Sequence, residues 1–281
     1  MKDYQNILFP YAYNILGSAE DARDAIQDVL LKYTDKGITP ENEKNYLIKG
    51  VVNQSINAKR QKKRFEQNDS WLPEPISTEK ADLSVELREM VSYSMLHLLE
   101  RLGTKERAVF ILKEAFAYSH QEIAEVLSVS VDNSRKLLSR AHQKVQQKKK
   151  TVLTPSSDHF EFIERFTAAV IGKNLSTLHD LLAVDIEYNA DGGNKVKVLK
   201  HYCQGFEEVT DLIVFAFHKY QTNYTIKPSV VNHQPALLSY YRDKLMICQV
   251  FEFQDDPFKI KSIHVILDPV KLNALRKENN Y

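Results

Sequence analysis

Apolar side chains at Ile7, Leu8, Tyr11, Ala12, Ile15 and Leu16 return every three or four positions, which places them along one face of a helix. Gly17 ends that run. Ser18 is then placed to cap a second helix, with Glu20 and Asp21 in the first turn where they suit the helix dipole, and with Ala22, Ala25, Ile26, Val29, Leu30 and Tyr33 as its apolar stripe up to Gly37. Thr39 and Pro40 read as the cap and first position of a third helix, whose stripe of Leu47, Ile48, Val51, Val52 and Ile56 runs into a basic cluster. The pattern predicts a helical bundle over residues 1–66. Between Gln67 and Val85 the periodicity stops, and Pro73 and Pro75 forbid a regular helix; 67–85 is a linker carrying an apolar island at Trp71 and Leu72. Leu87, Val91, Met95, Leu98, Leu99 and Leu102, then Ala108, Ile111, Leu112, Ala115 and Phe116, predict a second all-helical domain over 86–150. Beyond Pro155 the texture changes. Helices over 160–171 and 176–182 are followed by β-branched and aromatic runs at 186–188, 195–199, 236–241, 246–253 and 260–267, which predict strands, with Asp191-Gly192-Gly193-Asn194 as a turn. Residues 155–281 form an α+β domain.

Composition changes this picture little: 43% apolar and 27% charged residues suit packed cores rather than disorder. No apolar run approaches the ~20 residues of a membrane span, and the N-terminus lacks a basic-then-apolar leader, so a cytoplasmic protein without a membrane segment is expected. Cys203 and Cys248 have no metal-binding or disulfide spacing and read as small buried apolar residues. Charge matters more. A net charge of +1 conceals a cluster of Glu20, Asp21, Asp24 and Asp28 and another of Lys59, Arg60, Lys62, Lys63 and Arg64, so near-neutrality does not exclude nucleic acid.

The most informative chemistry lies between Ser119 and Val145. Ser119 and Glu122 have capping-box spacing, and Ile123, Val126 and Leu127 give a short helix its apolar face. After a tight turn at Ser128-Val129-Ser130, Ser130 can cap a second helix in which Leu137, Leu138, Ala141 and Val145 face inward while Asp132, Asn133, Arg135, Lys136, Ser139, Arg140 and Gln143 face outward. This matches a helix-turn-helix, whose second helix enters the major groove; a plain helical hairpin with a solvated face is the alternative. Asn53 and Asn57, ahead of the basic cluster, could hold exposed base edges while the cations neutralise phosphate. Tyr46 and Phe65 suit base stacking or a core equally, and Lys148 to Lys150 solvate a helix end. His179, His201, His218, His233 and His264 are scattered without partner spacing, so no catalytic residue, metal ligand or cofactor is expected.

Glu106-Arg107-Ala108-Val109-Phe110, Tyr118-Ser119-His120-Gln121-Glu122-Ile123-Ala124 and Leu138-Ser139-Arg140-Ala141 together resemble region 4 of bacterial sigma factors. Leu16-Gly17-Ser18 with Asp21 to Asp28, and Tyr46-Leu47 through Asn53 and Asn57 to the basic cluster, resemble region 2. The chain is therefore similar to extracytoplasmic-function (ECF) sigma factors. The resemblance implies that Asp24, Gln27 and Asp28 dock on the clamp formed by the largest subunits of core RNA polymerase. It implies that Asn53, Asn57, Lys59, Arg60, Lys63 and Arg64 bind the minus-10 element, and that Ser130, Asp132, Asn133, Arg135, Lys136, Ser139 and Arg140 read the minus-35 element.

Trp71-Leu72-Pro73-Glu74-Pro75, Asp191-Gly192-Gly193-Asn194-Lys195 and Asp268-Pro269-Val270-Lys271-Leu272 resemble three marks of one subgroup, which carries a fused SnoaL-like domain. Asn194, Asp268, Val270, Gly103-Thr104 and Ser134 depart from the usual residues. The fold class implied is multidomain: two all-α sigma domains followed by an α+β SnoaL-like cone shared with nuclear transport factor 2 (NTF2-like). Trp71, Leu72, Pro73, Glu74, Pro75, Asp191, Gly192, Gly193, Lys195, Asp268, Pro269, Lys271 and Leu272 are the expected regulatory contacts, with Glu74 approaching Lys195. Expected partners are core polymerase, promoter DNA and a candidate small-molecule ligand of the C-terminal domain. The alternative reading is a DNA-binding ligand sensor or enzyme whose C-terminal pocket carries the main activity: paired carboxylates in that pocket would favour an enzyme, an apolar interior regulation.

Overall fold

The structure, a computed structural model, describes residues 2–36, 40–62, 71–79, 89–145 and 155–278. These divide into two compact units. The described residues of 2–62, 89–91 and 95–145 make one; 71–79, 92–94 and 155–278 make the other.

The first unit is all-helical. It contains α1 (Lys2–Leu16), α2 (Ala19–Lys36), α3 (Glu43–Lys62), most of α4 (Tyr93–Leu98), α5 (Thr104–Glu114), α6 (His120–Leu127) and α7 (Val131–Val145). α1, α2 and α3 pack mutually, and α1 and α3 also pack on α5. Gly17 takes φ 76°, a conformation glycine enters without a Cβ penalty, and Ser18 Oγ accepts the Asp21 amide at 3.2 Å. The start of α3 differs from the expectation at Thr39 and Pro40. Asn42 Oδ1 accepts the Asn45 amide at 3.0 Å, so the first free N–H groups find their acceptor two residues beyond Pro40; Gly37 and Thr39 lie outside the described residues.

The second unit is α+β. Helices α8 (Ser157–Ile171), α9 (Leu175–Leu181) and α10 (Phe206–Ala216) accompany one six-stranded sheet of order β2-β1-β6-β5-β4-β3, and α11 (Asn273–Glu278) follows the last strand. Its strands are β1 (Leu182–Asp191), β2 (Tyr202–Gln204), β3 (Thr225–Val231), β4 (Gln234–Tyr241), β5 (Lys244–Asp255) and β6 (Phe258–Ile266). β1 and β6 pair in parallel and every other pair is antiparallel. One core lies among α8, α9, α10 and the sheet, around Ile163, Phe166, Val209, Phe251 and Ile263. A second, around Val231, Leu238, Cys248, Val250 and Ile266, takes in Leu72 and Tyr93.

Several elements differ from the sequence expectation. Residues 195–199 form bends and turns rather than a strand, because β2 occupies the edge of β1 and Val196 N bonds back to Gly192 O at 3.1 Å. β2, β3, α10 and α11 were not anticipated. β3 contains Pro228, tolerable because β3 is an edge strand. α10 is rich in phenylalanine and β-branched residues, a composition that reads as strand until the sheet beneath it is known.

Candidate nucleic-acid interface and linker seat

The α6–turn–α7 motif has the geometry its spacing predicts. Ser119 and Glu122 form a reciprocal capping box, at 3.2 Å and 2.7 Å. Ser128 closes α6 in the left-handed conformation, φ 51°. Ser130 Oγ accepts the Asn133 amide at 3.1 Å, so its hydroxyl holds the start of α7. Ser134, Leu137, Ala141 and Val145 are buried; Asp132, Asn133, Arg135, Lys136, Ser139 and Arg140 are exposed on the opposite face. Ser134 is buried without cost to its hydroxyl because His120 Nδ1 lies 2.9 Å away. Burial first, then Lys113 and Arg135, holds the His120 pKa below the usual imidazole value. Arg135 pairs with Asp132 at 3.0 Å, an exposed contact of the kind worth little. Lys144 and, at 3.9 Å, Arg140 face Glu106.

On α3 the expected minus-10 residues separate into two sets. Asn57 and Arg60 are exposed, and Lys63 and Arg64 lie outside the described residues, as do Phe65 and Lys148 to Lys150. Lys59 corrects the expectation of an open phosphate contact: it is buried, and its Nζ donates to Leu16 O at 2.9 Å and pairs with Glu100 at 2.9 Å. Fully buried Arg107 pairs with the same carboxylate and donates through Nε to Asn14 O at 2.8 Å. Asn53 is also engaged, giving Nδ2 to Val126 O of α6 at 2.8 Å as well as to Lys49 O. Tyr11 of α1 stacks on Phe116 at 3.7 Å between centroids. The helix expected to carry minus-10 contacts is thus tied to α5 and the turn before it by a Lys59–Glu100–Arg107 triad, and to α6 by Asn53. Sequence reading missed the pairing of Glu100 with Arg107, because the chain turns at Leu102 and Gly103 between them and no helical spacing relates the two. On α2, Asp24 and Gln27 are exposed, and so is Asp28, which accepts from Gln54 at 2.9 Å. Tyr46 is exposed and packs beside Tyr33.

The expected regulatory residues converge within the second unit. Asp191 ends β1, and its Oδ2 accepts the Leu72 amide at 2.8 Å while Oδ1 accepts the Gly193 amide at 2.7 Å. Lys271 Nζ bridges Asp191 Oδ2 (2.5 Å) and Leu72 O (2.6 Å), and lies 4.3 Å from the centre of the Trp71 ring. Gly192 and Gly193 admit no side chain. A Cβ on Gly192 would lie 1.9 Å from Val196 O, and one on Gly193, at φ +58°, 2.4 Å from Asp268 Oδ2. Asp268 in turn holds the Val270 amide at 2.9 Å. Leu72, Pro73, Glu74, Pro75 and Leu272 are buried, and Pro269 is half-buried. Lys195 is exposed, and the ammonium at the turn belongs to Lys271. The seat extends beyond these motifs. Tyr93 Oη donates to Pro73 O at 2.7 Å, Ile76 and Asn232 exchange two bonds at 2.9 and 3.0 Å, Thr78 N reaches Val230 O at 2.9 Å, and Gln234 holds Ser94.

A cavity of about 650 Å³ opens between α8, α10 and the sheet, walled by Phe166, Val170, Ile213, Phe217, Leu237 and Ile247 among others. No carboxylate or histidine lines it. His179 packs on Phe206, and His201 and His218 face backbone carbonyls. Among the described residues no three His, Cys, Asp or Glu side chains gather as a metal site, and no helix is long and apolar enough to cross a membrane. Cys203 and Cys248 are buried, with their thiol pKa values raised by burial.

Comparison with known proteins agrees with this geometry. Residues 92–145 match the family described as "Sigma-70, region 4". The chain is 27% identical over 220 residues to the ECF RNA polymerase sigma factor SigJ of Mycobacterium tuberculosis (strain ATCC 25618 / H37Rv), covering 76% of this chain and 70% of that protein. It is 26% identical over 280 residues to a probable ECF RNA polymerase sigma factor, SigI, of Mycobacterium tuberculosis (strain CDC 1551 / Oshkosh), covering 96% and 93%. The crystal structure of Mycobacterium tuberculosis SigJ superposes with a TM-score of 0.77 at 22% identity, covering 97% of both chains, a likeness of fold.

Proposed function

We infer that this chain is an extracytoplasmic-function sigma factor of bacterial RNA polymerase, with a C-terminal SnoaL-like domain that regulates it. The observation carrying the inference is the helix-turn-helix of α6 and α7, with its polar face open, inside the stretch that matches region 4. Asn133, Arg135, Lys136 and Arg140 read minus-35 base edges or grip the flanking phosphates, supported by Asp132, Ser139 and the Ser130 cap. Asn57, Arg60, Lys63 and Arg64 engage the minus-10 element, while Asn53 and Lys59 position α3 through α6 and Glu100. Asp24, Gln27 and Asp28 contact the polymerase clamp. These partners put the protein in the cytoplasm.

The C-terminal domain acts through the linker. From Lys62 to Glu89, a free chain can extend about 89–97 Å. With 71–79 seated, nine residue steps remain from Lys62 to Trp71 and ten from Glu79 to Glu89, about 30–32 Å and 33–36 Å. Seating therefore fixes eight of the twenty-seven steps between the two DNA-binding regions and tethers both flanking stretches to the C-terminal domain. An apolar cavity without carboxylate or histidine supports regulation over acid–base catalysis. The test is binding to core polymerase by co-elution, followed by protection of promoter DNA from nuclease. A stoichiometric complex that protects discrete minus-35 and minus-10 positions is expected; failure to bind core, or protection no different from core alone, overturns the reading.

A further inference from the structure

We propose that the C-terminal cavity binds an amphipathic organic anion, a long-chain or aromatic carboxylate, and that its occupancy is coupled to the seating of the linker. The volume, about 650 Å³, lies within the roughly 300–1,000 Å³ range of small-molecule sites. The walls are aliphatic and aromatic, from Phe166 and Phe217 on the helices to Leu237 and Ile247 on the sheet. Such walls select an apolar body.

Charge selects the head group. The ionised side chains lining the cavity are Lys197, Lys244 and Arg276, with no aspartate or glutamate among the lining residues. Among the described residues none of the three forms an ion pair. Arg276 directs Nη2 to Leu245 O at 2.6 Å and Nη1 to Asn273 Oδ1 at 3.0 Å, and its Nε is buried without a hydrogen-bond partner. A guanidinium held by carbonyls, with one buried N–H unused and no counter-charge among the described residues, is an incomplete anion site. A carboxylate would supply both the acceptor and the charge, whereas a cation would be repelled and a neutral alcohol would leave the charge unmatched.

The coupling follows from which loops form the wall. Val196, Leu267 and Pro269 line the cavity. Val196 O packs under Gly192, whose neighbour Asp191 accepts the Leu72 amide, and Pro269 lies between Asp268, packed on Gly193, and the loop bearing Lys271. Arg276 itself reaches Pro269 O at 3.4 Å. One face of these two loops walls the cavity and the other holds Leu72 and Trp71. The coupling, though not the binding, rests on the regulatory reading above.

Dodecanoate, dodecanol and dodecyltrimethylammonium, each titrated calorimetrically into the full chain below its micelle concentration, separate the terms. Dodecanoate should bind one to one and about tenfold or more tighter than dodecanol, with no binding of the ammonium. Lys197→Gln/Lys244→Gln, at two exposed positions, should weaken dodecanoate and leave dodecanol unchanged. Ile213→Trp, which fills the cavity, should abolish both. Equal affinity for the acid and the alcohol, or dodecanoate binding indifferent to the double lysine variant, overturns the anion site. Trp71→Ala lies outside the cavity, and reciprocity requires it to shift dodecanoate affinity if the sites are coupled, by about threefold or more. An unchanged affinity overturns the coupling. Loss of binding with promoter-specific transcription intact rejects this inference and leaves the sigma assignment standing; binding without transcription does the reverse.

Discussion

Glu100 stands between Lys59 and Arg107 and pairs with both. Burial alone would raise its pKa, but Arg107 and Lys59 together outweigh that and hold it below the usual carboxylate value. Removing one partner leaves a buried charge uncompensated, so Glu100→Gln should destabilise this unit by about 3 kcal/mol, the lower end expected for a buried pair because Glu100 is partly exposed. Urea unfolding followed by far-UV circular dichroism measures it. A depressed carboxyl contributes stability that is fully present above its unfolded pKa of about 4.3 and is lost as pH falls through the lower folded value. The wild-type advantage over Glu100→Gln should therefore be constant from neutral pH to about 5 and shrink below about 4. Gly193→Ala should disturb the linker seat, because its Cβ would strike Asp268 and φ +58° disfavours a side chain by about 1 kcal/mol or more. Thermal unfolding of that variant, alongside protease cleavage near Trp71, reads both effects. The motifs made Asp191, Gly193 and Lys271 legible. They could not reveal that Lys271, seventy-six positions beyond Lys195, supplies the ammonium, since chain distance carries no record of which loop closes on a turn.

At the scale of elements, the faces of α7 were readable because its apolar positions return at helical period over fifteen residues; buried Ser134, a polar residue that no apolar stripe marks, was not read as inward. β3 and the segment 195–199 were not readable. Alternating valine and lysine at 195–199 satisfies the strand rule, but a strand needs an edge to pair with, and β2 takes it. For α7 the prediction concerns DNA. A base-reading arginine, with Arg135 the first to test, should cost about 1–3 kcal/mol when replaced by alanine and relax specificity at one base pair. A phosphate contact such as Lys136 should instead weaken all sites and lower the salt slope by about one. Fluorescence anisotropy on a set of single-base promoter variants, at several salt concentrations, distinguishes the two, and unchanged promoter choice across alanine variants at 133, 135, 136 and 140 would sink the assignment.

Across the whole molecule, residues 71–79 of the linker belong with the C-terminal domain, and α3 with α6 and α7. Two sets of the residues singled out from the sequence are thereby held: Asn53 and Lys59 by α6 and Glu100, and the linker by Asp191 and Lys271. Composition and periodicity gave the order, helical first and α+β after, because helices and strands write different hydrophobic periods; the two helical domains expected from the linker form one compact unit. Composition and periodicity were silent on this partition, which is set by tertiary contacts between distant segments. If linker and domain act as one unit, the promoter output and core-binding effects of Trp71→Ala and Asp191→Ala should not add in the double variant, whereas independent residues add within about 0.5 kcal/mol. The most direct measurement is run-off transcription with purified core polymerase over a genomic fragment library, comparing wild type with Lys271→Met. Wild type should raise discrete transcripts that core alone does not make, and Lys271→Met should change their yield from the same start sites. No discrete transcript from wild type, under conditions where core is active, would contradict the account.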